Sequence, residues 1–166
     1  MLLRVSAPVT VTTAPPPGAF ARMVELQSAW YAEHHGFGLP FESMLASDVG
    51  EYTAALPHPD CRSWVALADR QVTGCITIDG RGRPSARLRW FFIERATRGG
   101  LGRQMLENAL GFCRDSGFGD VWLTTFNKLL IARHLYETQG FRLEQEELDT
   151  TWGVPVREQV FRLHLR

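Results

Sequence analysis

Cysteine is scarce in this 166-residue chain: Cys61, Cys75 and Cys113 are odd in number, and no two stand in a CxxC spacing. They read as small buried hydrophobes rather than a disulfide framework or zinc site, and a reducing cytoplasm is the expected compartment. Long apolar runs are missing too. None approaches the roughly 18 residues needed to span a bilayer, and the opening MLLRVSAPVT has no sustained apolar stretch before its prolines, so neither a membrane span nor a targeting segment is expected. Neither sign of charge is in excess. Lys and Arg number 18 and Asp and Glu 18, which leaves no global field to draw the chain to nucleic acid or an anionic membrane. Internal repeats are absent, and so are the two common phosphate-binding fingerprints, GxxxxGK[ST] and GxGxxG.

What is present suffices for one compact domain over residues 1–166, with 1–8 expected to be a tail: 45% of the residues are hydrophobic, enough for a sizeable core. Val9 to Thr13 suits a strand, and Pro15, Pro16, Pro17 and Gly18 break it before a helix from about Ala19 to His35. Phe41, Leu45, Val49, Tyr52 and Leu56 recur at helical spacing. Trp64 to Ala68 and Val72 to Asp79 form a hairpin around Asp69, Arg70 and Gln71, and Ser85 to Ile93 follows as a strand apolar enough to be covered on both faces. An amphipathic helix from Leu101 stops at Ser116 and Gly117. Val121 to Thr125, a helical stripe of Leu129, Ala132 and Tyr136 ending at Gly140, a strand from Phe141 and an alternating segment over 156–165 complete the order. The fold class is α/β (α+β), with a mixed sheet.

The chemistry concentrates in ATRGGLGRQML. Gly99, Gly100 and Gly102 lie between a strand and the first turn of a helix, where the leading amides have no intrahelical partner and the helix dipole favours an anion. Arg98 and Arg103 add guanidinium groups suited to phosphate oxygens. A glycine turn required only by the chain path is the competing account.

The string LRWFFIERATRGGLGRQMLENAL, followed by LYETQGF, resembles the acetyl-coenzyme A signature of the GNAT family of N-acetyltransferases. Two registers are open. Gly100 and Gly102 match the family loop with Thr97 at its Arg or Gln position, or Arg98 and Gly99 match its Arg-Gly start in a loop one residue shorter. The segment ARHLYETQGFRLEQEELDTTWGVPVREQVFRLHL looks like GNAT domains fused behind MarR-type DNA-binding domains, and no such DNA-binding part is expected in these residues. The resemblance implies a single, mostly antiparallel, twisted sheet of about six to seven strands flanked by about four helices. It also implies acetyl-CoA as co-substrate, an amine-bearing small molecule or peptide as acceptor, no nucleic-acid or membrane partner, and a homodimer as a compatible assembly.

By the same resemblance, the amides of Phe92 and Ile93 hold the pantetheine arm, and those of Gly99, Gly100, Leu101, Gly102 and Arg103 hold the pyrophosphate. A slot near Phe92 and Leu123 admits the thioester. Asn127 is a candidate for bonding the pantetheine, because the family's asparagine seven residues before the tyrosine is Leu129 here. Tyr136 is the acid for the departing thiolate, its ordinary pKa of roughly 10 keeping it protonated at neutral pH; otherwise it is a packed aromatic. The base that deprotonates the amine is expected to be Glu42, followed by Glu33, Asp79 and Glu158, with Glu42 equally explicable as a carboxylate at a helix start. Trp90, Trp122 and Trp152 either line an acceptor pocket or belong to the core. His34 and His35 are adjacent, which prevents joint metal ligation from one helix face, and His58 near Cys61 reads as a loop feature. A non-catalytic acyl-CoA sensor and a nucleotide-binding protein are the competing functions.

Overall fold

A computed structural model describes residues 7–95 and 99–166. In chain order the elements are β1 (Val9–Thr12), α1 (Ala19–His35), α2 (Leu39–Ala54), β2 (Cys61–Ala68), β3 (Gln71–Asp79), β4 (Ser85–Ile93), α3 (Leu101–Asp115), β5 (Asp120–Phe126), α4 (Leu130–Thr138), β6 (Arg142–Asp149) and β7 (Val156–His164). The seven strands form one sheet in the order β1-β2-β3-β4-β5-β7-β6. Every neighbouring pair is antiparallel except β4 and β5, which run parallel. The chain reaches β5 from β4 through α3, as a parallel connection requires.

The hairpin between β2 and β3 is tighter than the sequence suggested. Gln71 already pairs with Ala68, so the loop is Asp69 and Arg70 alone, both at positive φ (48° and 64°). Positive φ at both central residues is the twist-compatible geometry for a two-residue hairpin loop.

Each face of the sheet is covered differently. On one, α3 buries Met105, Leu106, Ala109, Leu110 and Cys113 against Ile76, Leu88, Val121 and Leu123, while Arg103, Gln104 and Glu107 face solvent. Its apolar positions recur every three or four residues, which makes one stripe on a 3.6-residue helix. Each fully buried Leu there stabilises the fold by about 1.5–3 kcal/mol. On the other face, α1 and α2 bring Met23, Phe41, Leu45 and Val49 against Val65, Cys75, Phe126 and Trp152.

β4 is central, yet it is not covered on both faces as its apolar run suggested: Ala86 and Leu88 are buried, while Trp90, Phe91, Phe92 and Ile93 are only half-buried. Those residues border an opening in the sheet.

Candidate functional site

β4 and β5 are paired over three residues each, Ser85 to Arg87 against Asp120 to Trp122. Both strands run on, to Ile93 and to Phe126, without a further rung between them. Their separating edges border a cavity of about 390 Å³, a volume suited to a small molecule. The closed end is held by a 2.9 Å bond from the Ser85 hydroxyl to the Asp120 carboxylate, which Arg162 of β7 also pairs.

A bulge in β4 sets where the strands part. The register against β3 shifts between Cys75 and Thr77, and Trp90 takes φ 52°, a conformation that bulky residues adopt only when their surroundings enforce it. Here the Trp90 carbonyl accepts a hydrogen bond from the Cys75 thiol at 2.9 Å, its ring meets Tyr52 edge-on at 5.3 Å, and the Arg89 guanidinium lies 4.5 Å above it. Beyond the bulge, Phe92 stands opposite Cys75 in the register, and Glu94 N–H bonds Thr73 O at 2.8 Å on the same neighbouring strand. Amides alternate in direction along a strand, so the Ile93 amide faces the opening.

At the wide end stands the glycine turn. Gly99 and Gly100 have φ of 120° and 84°, and a Cβ placed on either would meet nothing within 4 Å. Gly102 is closer packed, facing Phe91 at 3.5 Å and Leu135 at 3.6 Å. Among the described residues the first amide bonded back into the turn is that of Gln104, to Gly100 O at 3.1 Å, and the amides ahead of it have no acceptor there, as expected at a helix start. Space beside the glycines, outward amides and the positive end of a 15-residue helix fit a pyrophosphate. Arg103 is exposed and already paired with Glu107 at 2.9 Å, and Arg98 lies outside the described residues.

Tyr136 projects from α4 into the cavity wall, buried among Phe91, Phe141 and Phe161. Among the described residues its hydroxyl has no hydrogen-bond partner. Burial, with a smaller contribution from Tyr31, pushes its pKa well above that of free tyrosine. It therefore stands as a neutral phenol. Tyr31, on α1, also lines the cavity, with its pKa raised by burial and then by Cys75.

The opposite wall is polar. Arg87 and Arg89 project from β4, two residues apart and so on one face. Arg89 pairs with Asp48 of α2 at 2.7 Å and with Asp79 of β3 at 3.4 Å. Burial alone would raise the Asp79 carboxyl, but hydrogen bonds from Arg81 and the charges of Arg81 and Arg89 outweigh it and hold the group at about 2. Across the opening, Glu158 of β7 and Asp149 of β6 reach the cavity. Asp149 accepts from Thr151 N–H at 2.9 Å and from its hydroxyl at 2.5 Å, and these bonds lower its pKa. Glu158 is raised, chiefly by burial and then by Asp149.

The four candidate bases fall in different places. Glu42 is exposed in the first turn of α2 and lies outside the cavity, because it sits on the opposite flank of Phe41 from the lining residues Met44 and Asp48. Glu33 is exposed on α1, and Asp79 is engaged by two arginines. Glu158 alone of the four borders the space. Asn127 is exposed just past β5, with its amide tied to Arg157 O at 3.0 Å. Trp90 and Trp152 line the cavity, whereas Trp122 lies under the Arg87 guanidinium at 4.7 Å. His34 stacks on Trp30 at 4.5 Å, and the His58 ring nitrogen Nδ1 accepts the Asp60 N–H at 3.1 Å. Among the described residues no group of three His, Cys, Asp or Glu side chains is placed to hold a metal, and no helix is long and apolar enough to cross a membrane.

Sequence reasoning missed Tyr31, Asp48, Arg87 and Arg89. The two arginines carried a signal: charges two apart, inside a strand otherwise apolar enough to be buried on both sides, need a polar cavity or a partner.

Residues 21–141 match the sequence model of the acetyltransferase (GNAT) family. N-acetyltransferase 8B of Homo sapiens is 26% identical over 136 residues, 77% of this chain and 60% of that protein. The chain thus spans about 60% of the length of this curated relative. Among solved structures, an acetyltransferase from Streptococcus agalactiae is 26% identical with a TM-score of 0.74, covering 95% of this chain and 98% of that one. The fold of yncA, a putative acetyltransferase from Salmonella typhimurium solved with acetyl-CoA, matches with a TM-score of 0.74 at 16% identity, over 95% of this chain and 94% of that one. With its parted parallel strands, its glycine turn at the head of α3 and a family match over most of its length, the chain belongs to the acetyltransferase (GNAT) family.

Proposed function

We propose that the chain works as one domain that transfers the acetyl group of acetyl-CoA to a primary amine by direct attack. The observation that carries this reading is the parting of β4 and β5 beside a glycine turn whose Cα atoms face open space. The amides of Gly99, Gly100, Leu101, Gly102 and Arg103 would take the pyrophosphate, and the outward amide of Ile93, next to Phe92, the pantetheine arm. When bound, acetyl-CoA supplies an activated acetyl carbon.

The remaining steps belong to the chain's own groups. An ammonium must lose a proton before its nitrogen can attack. Glu158, with its raised pKa, takes that proton directly or through a water. As the new C–N bond forms and the C–S bond breaks, the buried Tyr136 phenol gives its proton to the departing sulfur. The nitrogen gives up a second proton as the amide forms, which restores the Tyr136 phenol, and the first passes from Glu158 to solvent; the products are the amide, the free thiol and one proton. A main-chain donor facing the cavity stabilises the charge developing on the carbonyl oxygen.

Release of free thiol from acetyl-CoA in the presence of a panel of amines tests the reading, with Gly100→Asp as the control. Turnover that this substitution abolishes is the expected result. Binding of CoA without thiol release for any amine would instead favour a non-catalytic acyl-CoA sensor. The proposal extends to a reducing cytoplasm, which suits the three free thiols. It also includes a homodimer formed through β6, an edge strand whose Leu143 and Leu148 are exposed; the mass in solution decides that.

A further inference from the structure

Two charges in the cavity lack an ion-pair partner among the described residues, and they have opposite signs; the Arg87 guanidinium rests on the Trp122 ring. Arg87 has no carboxylate within 4.0 Å among the described residues. Its Nη2 reaches only the Thr124 hydroxyl at 3.4 Å, and its Nε is buried without any partner. Neighbouring Arg89 is fully engaged by Asp48 and Asp79. Glu158 likewise has no cation within 4.0 Å, although it and Arg87 are near enough to influence each other's ionisation.

The sheet register shows the space between them. Trp122 lies opposite Arg87 and Phe126 opposite Glu158, with Thr124 midway on the same face of β5. Four residues of strand span about 13 Å, and the Arg87 side chain crosses the first half to reach Thr124. The remaining gap ends at a carboxylate.

We infer that the acceptor is a small zwitterion of the α-amino acid type, whose carboxylate is taken by Arg87 and Thr124 while its amine lies toward Glu158. This rests on the acetyl-transfer reading above. A half-buried arginine with no ion pair and an unbonded Nε is costly even when it stacks on a ring, and a carboxylate matches its fork in two parallel hydrogen bonds. A polyamine would bring a second cation against Arg87 and Arg89, and a lysine side chain within a peptide would bring no anion at all. Both leave the guanidinium unsatisfied, which is how such a site discriminates.

The test uses the full chain, acetyl-CoA and three matched series: the L-amino acids, their carboxamides and their decarboxylated amines, with putrescine and spermidine added. At least one L-amino acid should be acetylated with kcat/KM about tenfold or more above its own amide. Arg87→Met should bring that ratio to within about twofold of one, chiefly through KM for the acid, and Arg87→Lys should restore part of it. KM for acetyl-CoA, measured for each variant, shows that the coenzyme side still folds. Preference for the amides or the polyamines, or a ratio that Arg87→Met leaves intact, overturns the inference while acetyl transfer stands. Absence of thiol release with every amine removes the acetyl-transfer reading and this inference with it.

Discussion

The Cys75 thiol donates to the Trp90 carbonyl oxygen at 2.9 Å, so a side chain of β3 holds the bulge of β4 from the neighbouring strand. Burial pushes the thiol up to about 12, and it therefore remains protonated and able to donate throughout the neutral range. Cys75→Ala should cost about 1–2 kcal/mol in denaturant unfolding, from one lost buried hydrogen bond and a small void. The same change should raise KM for acetyl-CoA, because the Ile93 amide is aimed by that bulge. An unaltered KM would show that Trp90 keeps its conformation without the sulfur.

Glu158→Gln should lower kcat/KM about 100-fold or more, the usual scale for a lost general base. The wild-type acid limb should lie above the ordinary carboxylate range, since burial, Asp149 and Glu147 raise Glu158 against the opposing pull of Arg87. The base acts as the carboxylate, so activity falls as pH drops through its pKa. Asp149→Asn should move the limb to lower pH and Arg87→Met to higher pH. A pH–rate profile that neither change displaces would assign the base elsewhere.

Tyr136→Phe should reduce kcat about tenfold or more while leaving the dissociation constant of CoA near its original value. The hydroxyl borders the cavity and has no hydrogen-bond partner among the described residues, so its loss should leave thermal stability nearly unchanged. Equal kcat in both forms would make Tyr136 a packing residue.

Gly100→Asp should abolish CoA binding by calorimetry without unfolding the protein. A side chain there enters open space, and the cost of its φ of 84° is about 1–2 kcal/mol. The new carboxylate, however, stands where phosphate charge must sit.

Asp79 governs acid stability. Its carboxyl is held at about 2 against an ordinary 3.8, so the stabilisation is fully present above the ordinary value and is lost as pH falls through about 2. Asp79→Asn should cost roughly 1–3 kcal/mol at neutral pH, because Arg81 and Arg89 lose a partly buried partner. The difference from the parent should shrink below about pH 4, as unfolding curves across pH will show.

Element boundaries were legible in the sequence where local chemistry decides them. Pro15 to Gly18 fix the start of α1, the 3.6-residue stripe from Leu101 to Cys113 fixes α3, and the glycines of the turn mark the head of that helix. The acceptor wall was not legible, because it depends on pairings between residues far apart in the chain. Glu158 reaches the cavity through the register of β7 against β5, and nothing around Glu158 itself encodes that register. Glu42 looked as suitable by its neighbours, and only the rotation of α2 about its buried face excludes it from the wall. The pairing of Arg89 with Asp48 joins positions 41 residues apart, which turns an isolated charge in an apolar strand into a structural tie and leaves Arg87 as the vacant one.

The three rungs that join β4 to β5 make the middle of the sheet its weakest seam. Backbone groups along the parted edges are left in the position of strand borders, although they lie at the centre of the molecule. A bound chain carrying amides at peptide-like spacing would stitch those borders together. Amide exchange along β4 and β5 should therefore slow when CoA is bound, and equal exchange with and without it would show that the seam is held by the chain alone.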